Sequence, residues 1–271
     1  MLWRGRRESE NVEDRRGISA GTVAGGGIGM VVLALVVMLL GGDPSVILNN
    51  APPPTSRQVN PAQFSEEEKQ QKEFVSVVLA DTEDVWNKLF KEKGRQYREP
   101  KLVLYSGRVD SACGFASAAV GPFYCPEDQK VYIDLSFYDE LKNKFGAQGD
   151  FAQAYVIAHE VGHHVQNQLG LLDKLHSRRG SLSKSDFNRM QVQMELQADY
   201  LAGVWAHHAQ KMKNILDKAD IEEALNAAAS IGDDRIQMRS QGYVVPESFT
   251  HGSSAQRVEA FRRGWESGRI E

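Results

Sequence analysis

The sequence predicts an α+β fold, mainly helical with a small β-sheet, preceded by one N-terminal helix long enough to cross a membrane. Three observations support this fold class. Apolar residues recur at helical spacing in five stretches after residue 64. Two short segments, LVLY at 102–105 and VYIDLSFY at 131–138, are β candidates, and the second alternates as strands do. A long uncharged apolar run lies near the N-terminus.

The predicted helices begin and end at recognisable signals. Ser65 and Glu68 fit a capping box at the start of the first helix, and Gly94 fits its C-terminal stop. Asp150 is expected to cap the second helix, which ends at Gly170. The later helices are expected at about 186–212, after a capping pair formed by Asp220 and Glu223, and in SAQRVEAFRRGWESG.

The composition excludes several classes of protein. There are 32 Lys and Arg against 36 Asp and Glu, and this net charge of −4 argues against a nucleic-acid-binding domain. Two cysteines are too few for a cysteine-based zinc ribbon, an iron–sulfur protein or a disulfide-rich miniprotein. A mean hydropathy of −0.43 excludes a polytopic membrane protein.

The apolar run suits a single membrane span. No charge occurs from Gly17 to Gly42, and the segment from Ala20 to Leu40 would form a helix of about 31 Å, close to the bilayer core of about 30 Å. The positive-inside rule places the preceding arginines, and hence the N-terminus, in the cytoplasm and the rest of the chain outside. These arginines are Arg4, Arg6, Arg7, Arg15 and Arg16.

This interpretation divides the chain into four parts. Residues 1–18 form a cytoplasmic basic tail, 19–41 a transmembrane anchor in the lipid bilayer, 42–64 a proline-rich linker and 65–271 the folded domain. Two alternatives stay open for the apolar run. It could be a cleaved signal peptide, although no clear small-x-small site follows it, or a buried core helix, although it has no polar face.

The segment from His159 to His163, HEVGH, is an HExxH motif on the second predicted helix. Residues four apart project from one helix face, so both imidazoles can bind one metal ion. Glu160 lies about 100° round the helix, beside the ion, where it can accept a proton from a zinc-activated water. A catalytic zinc needs a third protein ligand and one open position.

The third ligand is expected on the next helix, in the sequence ELQAD. The extended motif HExxHxxGxxH is absent because Gln166 and Leu169 occupy the places of its glycine and third histidine. Glu195 and Asp199 share a helix face, so one can bind the metal while the other accepts the ring N–H of a ligand histidine. The alternative is that both carboxylates lie on a solvated helix face.

Several segments resemble the bacterial "putative neutral zinc metallopeptidase" family of single-pass membrane proteins: HEVGHHVQNQLG, MELQADYLAGVWAHH, FTHGSSAQRVEAF, WRGRRESENVEDRR and GPFYCPEDQKVYIDL. This family is similar to the gluzincin peptidases, whose HExxH histidines and a later glutamate bind one zinc ion. The resemblance implies a zincin-like domain with His159, His163 and Glu195 as ligands of one Zn²⁺. It further implies Glu160 as general base and Asp199 behind a ligand histidine.

The implied function is a membrane-anchored zinc endopeptidase of the bacterial inner membrane, with its catalytic domain outside the cytoplasm. Its partner would be a polypeptide substrate of unknown identity. An extended peptide could pair with the edge of the VYIDLSFY strand. Two other functions remain open: a non-catalytic envelope scaffold that keeps zinc for structure, and a zinc hydrolase of a non-peptide bond. Structural zinc sites usually have four protein ligands, and we find no convincing fourth.

His251 is a second candidate catalytic residue. Related membrane metallopeptidases carry a His-Pro pair after the ExxxD helix, whereas here Gly252 follows His251. His251 could donate a hydrogen bond to the oxyanion, or it could be an ordinary loop histidine. Arg257 could brace a carboxylate, but a surface ion pair is the favoured interpretation. Surface positions are also expected for His164, His176, His207 and His208.

Cys113 and Cys125 are expected to form a disulfide if the domain lies outside the cytoplasm. In the loop-entropy model such a bond stabilises the fold by roughly 3 kcal/mol. The alternative is a pair of reduced, buried thiols. Metal binding by this pair is not expected, since its spacing lacks close-set partners.

Overall fold

A computed structural model describes residues 1–16 and 64–270. In this part of the chain, the strands are β1 (Val12–Asp14), β2 (Lys101–Tyr105), β3 (Arg108–Ser111), β4 (Gly114–Ser117), β5 (Phe123–Cys125) and β6 (Lys130–Asp134). The helices are α1 (Glu66–Glu92), α2 (Ser136–Asn143), α3 (Asp150–Gln168), α4 (Leu171–His176), α5 (Lys184–Lys213), α6 (Lys218–Ser230), α7 (Asp233–Gln241) and α8 (Ser254–Ser267). The mainly helical α+β class is therefore confirmed.

The main sheet has the strand order β1-β2-β6-β5. β1, β2 and β6 run parallel, and β5 pairs antiparallel with β6. β3 and β4 form a separate hairpin. β6 therefore lies inside the sheet, so the expectation that a peptide adds to the edge of VYIDLSFY is wrong. Among the described strands, β1 and β5 are the edges.

The predicted strand at 131–138 is also too long. β6 ends at Asp134, whose carboxylate accepts hydrogen bonds from the backbone N–H groups of Gly107 (2.6 Å) and Ser136 (3.0 Å). α2 begins at Ser136, so Phe137 lies on a helix. The alternation of apolar residues continues past the strand because the first turn of α2 packs on the same core.

The helix signals are partly confirmed. The Ser65–Glu68 capping box is present, and Gly94 has a φ of 67°. The cap of α3 differs from the prediction: Asp150 is its first helical residue, and the carboxylate of Glu223 accepts from the backbone N–H of Phe151. Glu223 thus does not cap its own helix.

The capping box of α6 lies three residues earlier than predicted, at Asp217 and Asp220. α5 and α8 match the predicted ranges closely and pack against each other. In addition, α5 packs against α3, and α8 packs against α6. A Cβ on Gly264 of α8 would lie 1.9 Å from the carbonyl oxygen of Tyr200 on α5. Only glycine permits this close approach, which packs the C-terminal half of α8 against the middle of α5.

Residues 1–16, the N-terminal arm, are part of the domain. β1 adds to β2, and Trp3 packs edge-on against Phe74 and donates to Asp150 at 2.8 Å. Four of its arginines pair with carboxylates: Arg6 with Asp81, Arg7 with Glu83 and Asp84, Arg15 with Glu13, and Arg16 with Asp14.

The predicted localisation, with the N-terminus and the domain on opposite sides of the inner membrane, is therefore wrong. Two segments that share one sheet lie on the same side of any bilayer. In residues 1–16 and 64–270, no helix has the length and apolarity needed to span a membrane. The predicted anchor at 19–41 and nearly all of the linker at 42–64 lie outside the described residues.

Candidate metal centre

The HExxH helix and the ELQAD helix bring three side chains to one point. His159 and His163 lie one turn apart on α3, which packs against α5. The Oε2 atom of Glu195 lies 3.1 Å from His159 Nε2 and 3.5 Å from His163 Nε2. Within the described ranges, these three residues form the group of His, Cys, Asp or Glu side chains that could hold one metal ion. Their ligand atoms all lie within 4.8 Å of one another.

The chemistry of this donor set fits zinc. Two imidazole nitrogens and one carboxylate oxygen are the protein ligands of many catalytic zinc sites. Each ring also has an acceptor on its other nitrogen: Asp199 lies 2.8 Å from His159 Nδ1, and Gln166 lies 2.9 Å from His163 Nδ1. Such contacts hold the Nε2 atoms towards the ion.

Asp199 is fixed by a buried network behind His159. Arg257, from α8, donates to its two oxygens from Nε at 2.8 Å and from a terminal nitrogen at 3.0 Å. The Tyr155 hydroxyl donates to the same carboxylate at 2.5 Å. Arg257 is only 3% exposed, so the prediction of a surface ion pair is wrong. Arg257 lies in the first turn of α8, the helix whose Gly264 packs closely on α5.

The electrostatics of the centre favour positive charge between the three side chains. Burial lowers the pKa of His159, but the charge of Asp199 and the hydrogen bonds with Asp199 and Glu195 outweigh burial and raise the pKa to about 10. Burial raises the pKa of Glu195, yet the two histidines hold that pKa well below its ordinary value. The carboxylates that stabilise a proton here would also stabilise a metal cation.

Glu160 lies beside the three ligands in the wall of a cleft of about 600 Å³. Its side chain is buried, and it makes no hydrogen bond or ion pair with the described residues. A carboxylate in this setting is available to exchange a proton with a bound molecule. The cleft is otherwise mainly apolar, with residues 118–124 on one rim and Phe137, Phe145 and Ile236 on other walls.

His251 also lines the cleft, on the loop before α8. Asp233 holds this loop by accepting backbone N–H bonds from Thr250, His251 and Gly252 at 2.7, 2.6 and 3.0 Å. The other carboxylate oxygen of Asp233 lies 3.3 Å from His251 Nδ1. Gly252 has a φ of 96°, which proline cannot adopt. The loop therefore has a conformation that a His-Pro pair could not form.

Three of the four histidines predicted at the surface are packed. His164 is fully buried and contacts the Tyr124 hydroxyl at 3.0 Å and the Arg98 carbonyl at 2.6 Å. His207 and His208 are half-buried and contact the carbonyls of Trp265 and Gly268 near the C-terminus. Only His176 is exposed as expected.

The structure contains the expected disulfide between Cys113 and Cys125, with a Cα–Cα distance of 5.8 Å. It joins the turn of the β3–β4 hairpin to the end of β5. Because β5 is the edge strand beside the cleft, the bond braces one rim of the candidate site.

The family of the chain follows from comparison with known proteins. A family model described as "Putative neutral zinc metallopeptidase" matches residues 1–271. The chain belongs to this family. A relative from Escherichia coli (strain K12), "Uncharacterized protein YpfJ", is 50% identical over 276 residues, which cover 99% of this chain and 96% of the relative. "Uncharacterized protein Mb2605" from Mycobacterium bovis is 45% identical over 182 residues, or 64% of this chain and 60% of the relative. No solved structure matches the chain.

Two residues of the centre, Tyr155 and Gln166, are not predicted as functional from the sequence. Helical spacing offers a signal for both. Tyr155 lies four residues before His159, and Gln166 lies three residues after His163, so each shares a face with a ligand. What the spacing does not reveal is their partners on α5, because these depend on how the two helices pack.

Proposed function

We propose that this protein is a zinc-dependent endopeptidase, with His159, His163 and Glu195 holding the metal. The observation that carries the proposal is the convergence of these three side chains beside the buried, unpaired carboxylate of Glu160. When bound, zinc supplies Lewis-acid activation of water and polarisation of the peptide carbonyl.

Glu160 is the proton carrier of the proposed reaction. As general base it takes a proton from the attacking water, and as general acid it passes this proton to the leaving amine. Its carboxylate forms no hydrogen bond or ion pair with another described side chain, which leaves it available for both steps.

His251 is the proposed donor to the oxyanion. Its Nδ1 lies 3.0 Å from the Thr250 hydroxyl and 3.3 Å from an Asp233 oxygen. When the hydroxyl donates to Nδ1, the ring proton is on Nε2 and can be donated to the oxyanion. Its side chain is about half exposed and lines the cleft, so a substrate can reach it.

We expect the substrate to be an extended polypeptide that lies along β5, and not along the VYIDLSFY segment expected from the sequence. β5 is an edge strand with unpaired backbone groups, and its residues Phe123 and Tyr124 line the cleft. The apolar walls then receive side chains of the peptide. No described residue supplies a fourth ligand, which favours catalysis over a structural zinc.

The test compares Glu160→Gln with the wild type on an unfolded protein substrate. We expect a loss of activity of about 10²–10⁴-fold with unchanged zinc content. Glu140→Gln is the matched control, because Glu140 also lines the cleft but pairs with Lys144 and not with a ligand, and it should retain activity. Equal activity of Glu160→Gln and wild type would refute the role of Glu160. A zinc-loaded wild type that cleaves no peptide would favour the scaffold or the non-peptide hydrolase.

A further inference from the structure

Gln166 connects the second ligand histidine to the neighbouring helix. It is fully buried on α3. Its Oε1 lies 2.9 Å from His163 Nδ1, and its Nε2 donates to the Met194 carbonyl at 2.7 Å and to Gln197 Oε1 at 3.0 Å. Both of these last partners are on α5, which also carries Glu195.

The chemistry of the partners fixes the orientation of this amide. A main-chain carbonyl can only accept, so the NH₂ group of Gln166 must face Met194. Its Oε1 then faces His163 and can itself only accept, so His163 Nδ1 must carry a proton. The lone pair of the neutral ring is therefore on Nε2, the atom that lies 3.5 Å from Glu195 Oε2.

We propose that Gln166 is a positioning residue, which holds His163 in the tautomer and ring orientation that bind zinc through Nε2. This inference rests on the proposed zinc site. The two ligand histidines are then held differently, His159 by the anionic Asp199 and His163 by a neutral amide.

The charge of the centre explains why a neutral partner suffices. The centre already contains two carboxylates: Asp199 pairs with Arg257, and Glu195 lies against both ligand histidines. A carboxylate beside His163 would add a further negative charge inside the protein. An amide orients the ring without that charge.

Two substitutions separate this role from a purely structural one. Gln166→Met removes both the acceptor for His163 and the donor to Met194. Gln166→Glu keeps an acceptor beside His163 but removes the donor to Met194. The positioning role predicts that Gln166→Met weakens zinc binding about 10–100-fold, whereas Gln166→Glu binds at least as tightly as wild type. A role limited to anchoring α5 predicts equal losses, and that result would overturn the proposal.

The measurement is the zinc dissociation constant of the full chain, obtained by chelator competition. Gln168→Met is the matched control. Gln168 lies on the same helix and donates to the Arg98 carbonyl, but it contacts no ligand, so its replacement should leave the constant unchanged. His163→Ala tests the zinc site itself, since unchanged zinc binding in this variant would refute that site. Zinc binding lost in His163→Ala but unaffected in Gln166→Met would refute only the role of Gln166.

A spectroscopic readout does not depend on the folding of any variant. In the zinc-loaded wild type, ¹⁵N NMR of the histidine side chains should show a protonated Nδ1 and a metal-bound Nε2 for His163. Zinc bound through Nδ1 would overturn the proposal.

Discussion

Arginine–carboxylate pairs occur both at the metal centre and in the N-terminal arm, and the pairs formed by Arg257 and by Arg7 differ in the exposure of the arginine. Arg257 and Asp199 are almost fully buried, and Asp199 also contacts His159 and Tyr155. Arg7 of the arm is 52% exposed where it meets Glu83 and Asp84. A buried pair loses much of its hydration, so removing one partner leaves a costly isolated charge, whereas an exposed pair is screened by water.

Different contacts hold the two regions in place. The centre depends on its buried ion pair, which places Asp199 behind His159. The arm is held by burial of Trp3, by the pairing of β1 with β2 and by ion pairs, of which that of Arg7 is the most exposed at its arginine. The following variants test this difference, from the largest expected effect to the smallest.

Arg257→Met should have the largest effect on stability. It leaves the Asp199 carboxylate buried without its cation, at a cost of about 3–5 kcal/mol in the free energy of unfolding. Urea denaturation measures this cost. Arg262→Met on the same helix is the control, because Arg262 forms an exposed pair with Glu259 and should change stability little. A similarly small change in both variants would show that the buried Arg257–Asp199 pair contributes no more to stability than an exposed pair.

Trp3→Ala should cost about 3 kcal/mol, because it removes a buried aromatic side chain that packs against Phe74. Trp3→Phe keeps an aromatic ring but loses the hydrogen bond to Asp150, so it should cost less. The same urea experiment compares the two. Negligible loss in Trp3→Ala would mean that ion pairs, and not apolar contacts, hold the arm.

Acid should weaken the arm. Burial raises the pKa of Glu13, but its bonds with Lys130 and Arg15 outweigh burial and lower the pKa to about 2. Because this value lies below that of the unfolded chain, the contribution of Glu13 is complete above pH about 4.5 and is lost as pH falls towards 2. Wild type should lose about 1 kcal/mol more than Glu13→Gln between pH 6 and pH 3, measured by urea denaturation at low salt. Identical pH profiles would exclude this contribution.

Arg7→Gln should have the smallest effect, at most about 1 kcal/mol, since the guanidinium is half exposed and its pairs are screened. Added salt should reduce the difference from wild type further. A loss as large as that of Arg257→Met would show that exposure does not decide the strength of these pairs.

The parts of the fold that the sequence predicts are those set by local contacts. α1, α3, α5 and α8 follow from helical spacing, and HExxH and ELQAD each place their side chains on one helix face. The strand order does not follow from local pattern, because β6 becomes interior only when β5 turns back against it. The place of the arm is equally non-local, since Val12 pairs with Leu102 about ninety residues later.

By itself, the sequence determined which side chains HExxH and ELQAD each place on one helix face, and the periodicity of those helices, because both depend on neighbours within two turns. The tertiary structure decided which charges are buried. It placed Arg257 against Asp199 and Gln166 against α5, and it put Arg6 and Arg7 of the arm beside carboxylates of α1. Burial depends on the atoms that surround a side chain in the folded state, and for these residues most of those atoms come from distant parts of the chain.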